Sequence, residues 1–244
     1  MYQANMEFPD FHSFLDACRG TNPSRCSNAY DSGMPSFYGS KSYEETMDLA
    51  EHGWPQGLEM IRKVQSETPI RDKEIWMHSI AGAIPDVPLF LAGSPEHMMS
   101  QHREPKKTMT IEIARGVRGF TSIEDYMAHG AMVLSLLDYA EEAGHPIELY
   151  ITIYASSGRH DYVHRILAKK AGEHMDMDRL AFMMAHPSFH RRLIFSLREM
   201  VGDVGGSGDV PKQFRIPDAI YIPMLFDIEQ INTLREKFLE EIAA

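Results

Sequence analysis

Residues 109–154 read MTIEIARGVRGFTSIEDYMAHGAMVLSLLDYAEEAGHPIELYITIY, and their reading decides the fold. MTIEIA (109–114) alternates as a strand does. Ser122 and Asp125 have capping-box spacing and open a helix. In that helix Ile123, Tyr126, Met127, Gly130, Val133, Leu134, Leu137 and Ala140 keep the helical period. Gly144 ends it and Pro146 prevents its return. IELYITIY (147–154) places Ile147, Leu149, Ile151 and Ile153 on one face, with Tyr150 and Tyr154 on the other. Both faces are apolar enough for a sheet covered on two sides. Strand, helix and strand at this spacing predict a βαβ unit with parallel strands and a right-handed crossover.

Toward the C-terminus, DYVHRILAKKA (161–171) is ambiguous: its β-branched start favours a strand and its lysine pair a solvated edge. Asp176 or Asp178 caps MDRLAFMMA (177–185), HPS breaks that helix, and Ser188 restarts one through FHRRLIFSLREMV. GDVGGSGDVPK (202–212) reads as a flexible loop and AIYIPMLF (219–226) as a last buried strand. DIEQINTLREKFLEEIAA (227–244) is an amphipathic helix with Ile228, Ile231, Leu234, Phe238 and Ile242 inward.

Toward the N-terminus, FYGSKSYEETMDLAEHGWPQG (37–57) specifies a helix at both ends. Ser42 and Glu45 form a capping box; Tyr43, Met47, Ala50 and Trp54 make one apolar face. Gly53 suits the left-handed C′ position, Pro55 stops continuation, and a second helix follows with Leu58, Ile61 and Val64 buried. AGAIPDVPLFLAGSPEHMM (81–99), rich in Pro and Gly, reads as short helical turns. The expectation is an α/β protein. Residues 1–106 are a mainly helical region braced by Trp54, and 107–244 form a Rossmann-like or von Willebrand A-like, mostly parallel sheet flanked by helices.

Composition narrows the function. The 244 residues carry a net charge of −11, the wrong sign for general coating of duplex DNA. No apolar run approaches the ~18 residues of a membrane span, and the first residues lack a basic, apolar leader, so secretion is not expected. Cys18 and Cys26 make neither a disulfide framework nor a zinc site and fit a reducing cytoplasm. The 17 methionines read as core packing.

Open α/β sheets bind ligands at the carboxyl ends of their strands. The loops expected there are 115–122 and 155–161, which bring Arg115, Arg118, Ser156, Ser157, Arg159 and His160 to one edge. That set suits a phosphate or carboxylate, because paired arginines bind such groups bidentately; its competing reading is a solvated rim paired with local acids. His160, Asp161 and His164 invite a metal, but 160 and 164 lie too far apart along a strand to share one ion. A second basic turn, HPSFHRR (186–192), joins His186, His190, Arg191 and Arg192. It reads as recognition of an acidic partner or a phosphate, or else as a capped helix start with a solvated basic face. The glycines at 202–208 follow a helix and no Gly-Lys-Ser/Thr closes them, so they are no phosphate loop. No serine sits on a nucleophile elbow.

FYGSKSYEETMDLAEHGWPQG, IPDVPLFLAGSPEHM (84–98), AGHPIELY (143–150) and MDMDRLAFMMAHPSFHRRLIF (175–195) resemble an uncharacterised family found mainly in bacteriophage genomes. The resemblance covers roughly residues 30–200, and the GWPxG and HPSxxRR blocks are its most specific parts. It implies no activity and no catalytic residue. The C-terminal half also resembles von Willebrand factor A-like domains, whose Asp-x-Ser-x-Ser loop after the first strand holds a divalent ion. The matching loop here, RGVRGFTS (115–122), carries arginines instead, which implies that the metal is lost and an anion favoured.

The function expected is therefore that of a phage-encoded accessory protein acting by binding, without catalysis, in the cytoplasm of the infected cell. It would engage a protein partner or self-associate, with no cofactor, no metal and no membrane. The alternative is a binder or enzyme acting on a phosphorylated ligand, a nucleotide or nucleic-acid end, at the strands' carboxyl ends. Single-strand stacking on Tyr150, Tyr154 or Trp54 is a third option, opposed by the net charge.

Overall fold

The alternating runs 109–114 and 147–154 become neighbouring parallel strands joined by the expected helix. The computed structural model describes residues 2–21, 35–67, 76–101, 106–116, 122–156, 160–200 and 206–224, with positions 233 and 236. The first elements are β1 (Tyr2–Phe8), α1 (Phe11–Arg19), α2 (Pro35–Tyr38), α3 (Tyr43–His52) and α4 (Pro55–Glu67). Then come β2 (Trp76–Ser79), β3 (Ile84–Pro85), α5 (Val87–Leu91), β4 (Met98–Gln101) and β5 (Met109–Ala114). Next are α6 (Ile123–Glu142), β6 (Ile147–Ser156), β7 (His160–Lys169), α7 (Met177–Ala185), a π-helical turn (Phe189–Ile194) and α8 (Phe195–Met200). β8 (Gly206–Gly208), a 3-10 turn (Lys212–Phe214) and β9 (Ile220–Ile222) follow.

The main sheet has the order β1-β7-β6-β5-β9, with β8 added alongside the end of β6. The pairs β1/β7, β5/β6 and β5/β9 are parallel, whereas β6/β7 and β6/β8 are antiparallel. Register and two-residue alternation assign its faces. Ile111, Ile113, Leu149, Ile151, Ile153 and Ile166 point to the helix side and pack with Leu134, Leu137, Phe182 and Leu193. On the other side Ala114 and Tyr154 meet Val210, Phe214 and Tyr221. Both faces are covered, as the apolar strands require.

Local signals hold well. Ser42 accepts from the Glu45 N–H at 3.1 Å, while the Glu45 carboxylate reaches the Lys41 N–H. Gly53 at φ 91° ends α3, and Trp54 is buried. Ser122 caps α6 through Asp125 N at 3.0 Å, and Asp176 caps α7 through Arg179 N at 3.1 Å. Gly130 in α6 lets α7 approach so closely that a Cβ there would lie 2.2 Å from the Met184 carbonyl oxygen.

Non-local pairings depart from expectation. The region 1–106 is not a separate helical unit: β1 joins the main sheet, and Phe11, Phe14, Tyr43 and Trp54 share one core with the sheet's isoleucines. Because β1 covers its outer side, β7 is an interior strand rather than a solvated edge. Lys169 is buried there, donating to the carbonyls of Ile147 (3.2 Å) and Lys170 (3.3 Å) and pairing with Glu141. Residues 76–101 form a three-stranded antiparallel sheet, β2-β4-β3, and within 81–99, where short helical turns were expected, only α5 is helical. Within the glycine-rich stretch, Gly206–Gly208 is a strand. The inward residues named for the C-terminal helix lie outside the described residues.

Candidate functional site

The parallel strands end where expected, but the residues gathered there differ. Arg118, Ser157 and Arg159 lie outside the described residues, as does the side chain of His160. Ser156 ends β6 on the face away from α6, opposite Asp161. Asp161 accepts from the Tyr154 hydroxyl at 2.8 Å, and His164 projects to the other face, so Asp161 and His164 do not converge on one ion. Among the described residues no three His, Cys, Asp or Glu side chains gather as a metal set.

Arg115 is not on a solvated rim. It continues the inward alternation of Ile111 and Ile113 and is 2% exposed. Its guanidinium sits 3.8 Å above the Tyr126 ring, donates from Nη1 to His129 Nδ1 at 3.3 Å and from Nη2 to the Met184 carbonyl. Met184 lies in the last turn of α7, where carbonyls lack helical partners and a cation is favoured. Among the described residues Arg115 meets an imidazole, a carbonyl and an aromatic face, and pairs with no carboxylate.

The HPSFHRR turn is likewise inside rather than a solvated basic face, and Ser188 makes no cap bond to the helix that follows. Ser188 instead meets His186 Nδ1 at 2.7 Å. Arg191 lies 4.2 Å over the Phe37 ring and donates to the Phe37 carbonyl. Arg192 donates to Ser40 Oγ (2.8 Å) and the Ser40 carbonyl (2.9 Å), with Tyr38 stacked at 4.3 Å. Trp54 stands edge-on to His186 at 4.8 Å. Three sequence blocks, FYGS, GWPQG and HPSFHRR, thus meet in one place and fasten the N-terminal helices to the sheet's helix layer.

Beyond them the sequence reading missed His129, Arg198 and Ser207, and considered His164 only as a metal ligand. His190 Nδ1 donates to the Arg115 carbonyl at 3.1 Å, its Nε2 accepts from Ser207 Oγ at 3.1 Å, and Arg198 Nη1 donates to the same Oγ at 3.1 Å. Burial holds the imidazoles of His164 and His186 near a pKa of about 4 and that of His190 near about 3, with Arg198 adding repulsion at His164 and His190. His129 is lowered well below the usual value by burial and by Arg115 beside it. These rings are neutral at pH 7. Two signals could have found the cluster: Arg115 falls on the inward positions of MTIEIAR, and His129 adjoins Gly130 on the inward stripe of α6.

On the opposite face a buried charge is treated differently. Glu112 is inaccessible, yet it accepts from Thr152 Oγ1 (2.6 Å) and Ile216 N (2.8 Å) and faces Arg165 at 3.5 Å. An open cleft of about 630 Å³ lies elsewhere, at the end of α6 and the start of α7. Its lining includes Asp138, Glu141, Glu142, Asp176 and Asp178, a charge unsuited to the anion expected from sequence. No helix among the described residues is long and apolar enough to cross a membrane.

The sheet and its helices define a mixed α/β protein with a largely parallel sheet, in general terms a Rossmann-like or von Willebrand A-like architecture. The chain belongs to the family described as Domain of unknown function (DUF7192), matched over residues 2–243. No curated protein and no solved structure matches it.

Proposed function

We propose that this chain is a phage-encoded accessory protein that acts by binding, without catalysis, as an assembly component in the infected cell. The phage assignment rests on the resemblance of the sequence blocks. The contact surface is the small sheet β2-β4-β3 with α5. One observation carries this reading: no residue from 78 to 100 is buried, and Ile80, Ile84, Val87, Phe90 and Leu91 are exposed, from 44% for Ile84 to 78% for Leu91. Short antiparallel strands without a core beneath them are marginal in water, and an apolar patch of this kind marks a protein contact.

The occupant is a second copy. At a net charge of −11, copies repel unless they meet through a charge-poor face. Residues 78–100 carry only Asp86 and Glu96 as charged side chains, and Asp86 is engaged by His78 at 2.9 Å and by Leu89 N at 3.1 Å. Sedimentation equilibrium over a wide concentration range tests the reading. Wild type associates with rising concentration, and Leu91→Asp stays at monomer mass with an unchanged circular dichroism spectrum. A wild type that stays monomeric throughout contradicts it.

A further inference from the structure

We propose that two copies of the chain join edge to edge through β2, antiparallel about a twofold axis at Met77, so that their three-stranded sheets become one continuous sheet. This pairing rests on the small sheet being the surface for a second copy, and it fixes where the copies meet.

Backbone direction shows which edge is open. The carbonyls of Met99 and His97 accept from Ala83 N at 3.0 Å and Asp86 N at 2.7 Å, so both residues turn their backbone toward β3. Alternation then turns Met98 and Ser100 toward β2, where Ser79 and Met77 stand opposite them. Trp76 and His78 therefore aim N–H and C=O away from β4, and among the described elements β2 pairs with β4 alone. The far edge is closed, because the outward residue of β3 is Pro85, which has no N–H.

Sheets guard their edges with charge, proline or a bulge. In the main sheet the edge strand β1 carries the exposed Glu7, and β9 is followed directly by Pro223. β2 reads WMHS, without Lys, Arg, Asp, Glu or Pro, and its register with β4 is unbroken. Pairing with its own copy sets Trp76 opposite His78 and Met77 opposite itself, and each outward N–H and C=O gains a partner. Such a contact is isologous and closes a dimer.

The same pairing gathers the apolar patch. His78 reaches Asp86, the cap of α5, at 2.9 Å, so α5 begins over the face that carries the His78 side chain. A twofold axis perpendicular to the sheet keeps both copies of α5 on that face, with Val87, Phe90 and Leu91 of each copy beside the seam. Strands that are marginal alone gain further strands and a covered face.

Oxidative cross-linking of the full chain tests the pairing. In a Cys26→Ser background, Met77→Cys sets two thiols opposite each other across the axis. Facing Cα atoms of a non-hydrogen-bonded pair lie about 4.5 Å apart, within disulfide range. With diamide as oxidant, Met77→Cys is expected to form a covalent dimer, and Ser79→Cys, off the axis, to stay unlinked. In sedimentation equilibrium His78→Pro removes an outward N–H and spares the ladder to β4. It should raise the dimer dissociation constant about tenfold or more relative to His78→Ala. If one of these variants does not fold, the other decides. Wild type that associates without a Met77→Cys cross-link, with equal linking of Ser79→Cys, or with undiminished association of folded His78→Pro overturns the edge pairing and leaves the small sheet as the contact surface. A wild type that stays monomeric overturns both.

Discussion

In the six-stranded sheet Ile111, Ile113, Leu149 and Ile151 are inaccessible beneath α6 and α7, whereas in the three-stranded sheet no residue from 78 to 100 is buried. The two sheets share apolar, β-favouring side chains, but only the first converts them into stability. Burial of such side chains contributes about 1.5–3 kcal/mol each, so the fold is held by the main sheet and its helices. Phe90 keeps an edge contact with His97 at 5.0 Å, yet it and Leu91 stand mostly exposed. Their apolar character makes sense as a surface to be covered.

Acid should break the comparison most severely. The unfolded-state imidazoles titrate near 6.5, above the folded values of about 4 for His164 and His186 and about 3 for His190. The unfolded chain therefore binds more protons in this range, and stability that is full above pH 6.5 is lost as pH falls toward 3. By pH 4 each of these three histidines withdraws about 3 kcal/mol by that route. Denaturant midpoints measured from pH 7 to pH 4 should fall steadily. A flat profile would contradict the buried, neutral state of the cluster.

Phe182→Ala comes next, since this inaccessible ring stacks on His186 and meets Phe189; a loss of about 3–5 kcal/mol in urea unfolding is expected. Gly130→Ala forces apart α6 and α7 at the Met184 carbonyl, with a cost of about 1–3 kcal/mol in the same assay. Ser42→Ala removes the α3 cap and should cost about 1 kcal/mol. Leu91→Asp is the smallest, within about 0.5 kcal/mol in the monomer, and a larger loss would place Leu91 in the fold's own core.

What the sequence made legible was local. The caps at Ser42, Ser122 and Asp176 and the inward stripe of α6 depend on residues three or four apart, and they stand as read. Strands β1 and β8 were not legible, because Tyr2–Phe8 finds its partner at His160–Ile166, and Gly-Ser-Gly has no apolar side chain to announce a strand. The prolines and glycines around Ile84 and Phe90 masked strands only two to four residues long. HPSFHRR was read as solvated because adjacent arginines usually are; Phe37 and Ser40, which receive them, lie about 150 residues away in the chain. Arg115 was the recoverable miss, since the alternation of 111 and 113 carries it inward.

Hydrogen exchange of the wild type at dilute and at high protein concentration tests most directly the claim that the small sheet is a surface for a second copy. Amides in 78–100 are expected to gain protection with concentration while those of Ile111–Ile113 and Leu149–Ile153 stay equally protected. Protection in 78–100 that does not change with concentration would contradict it.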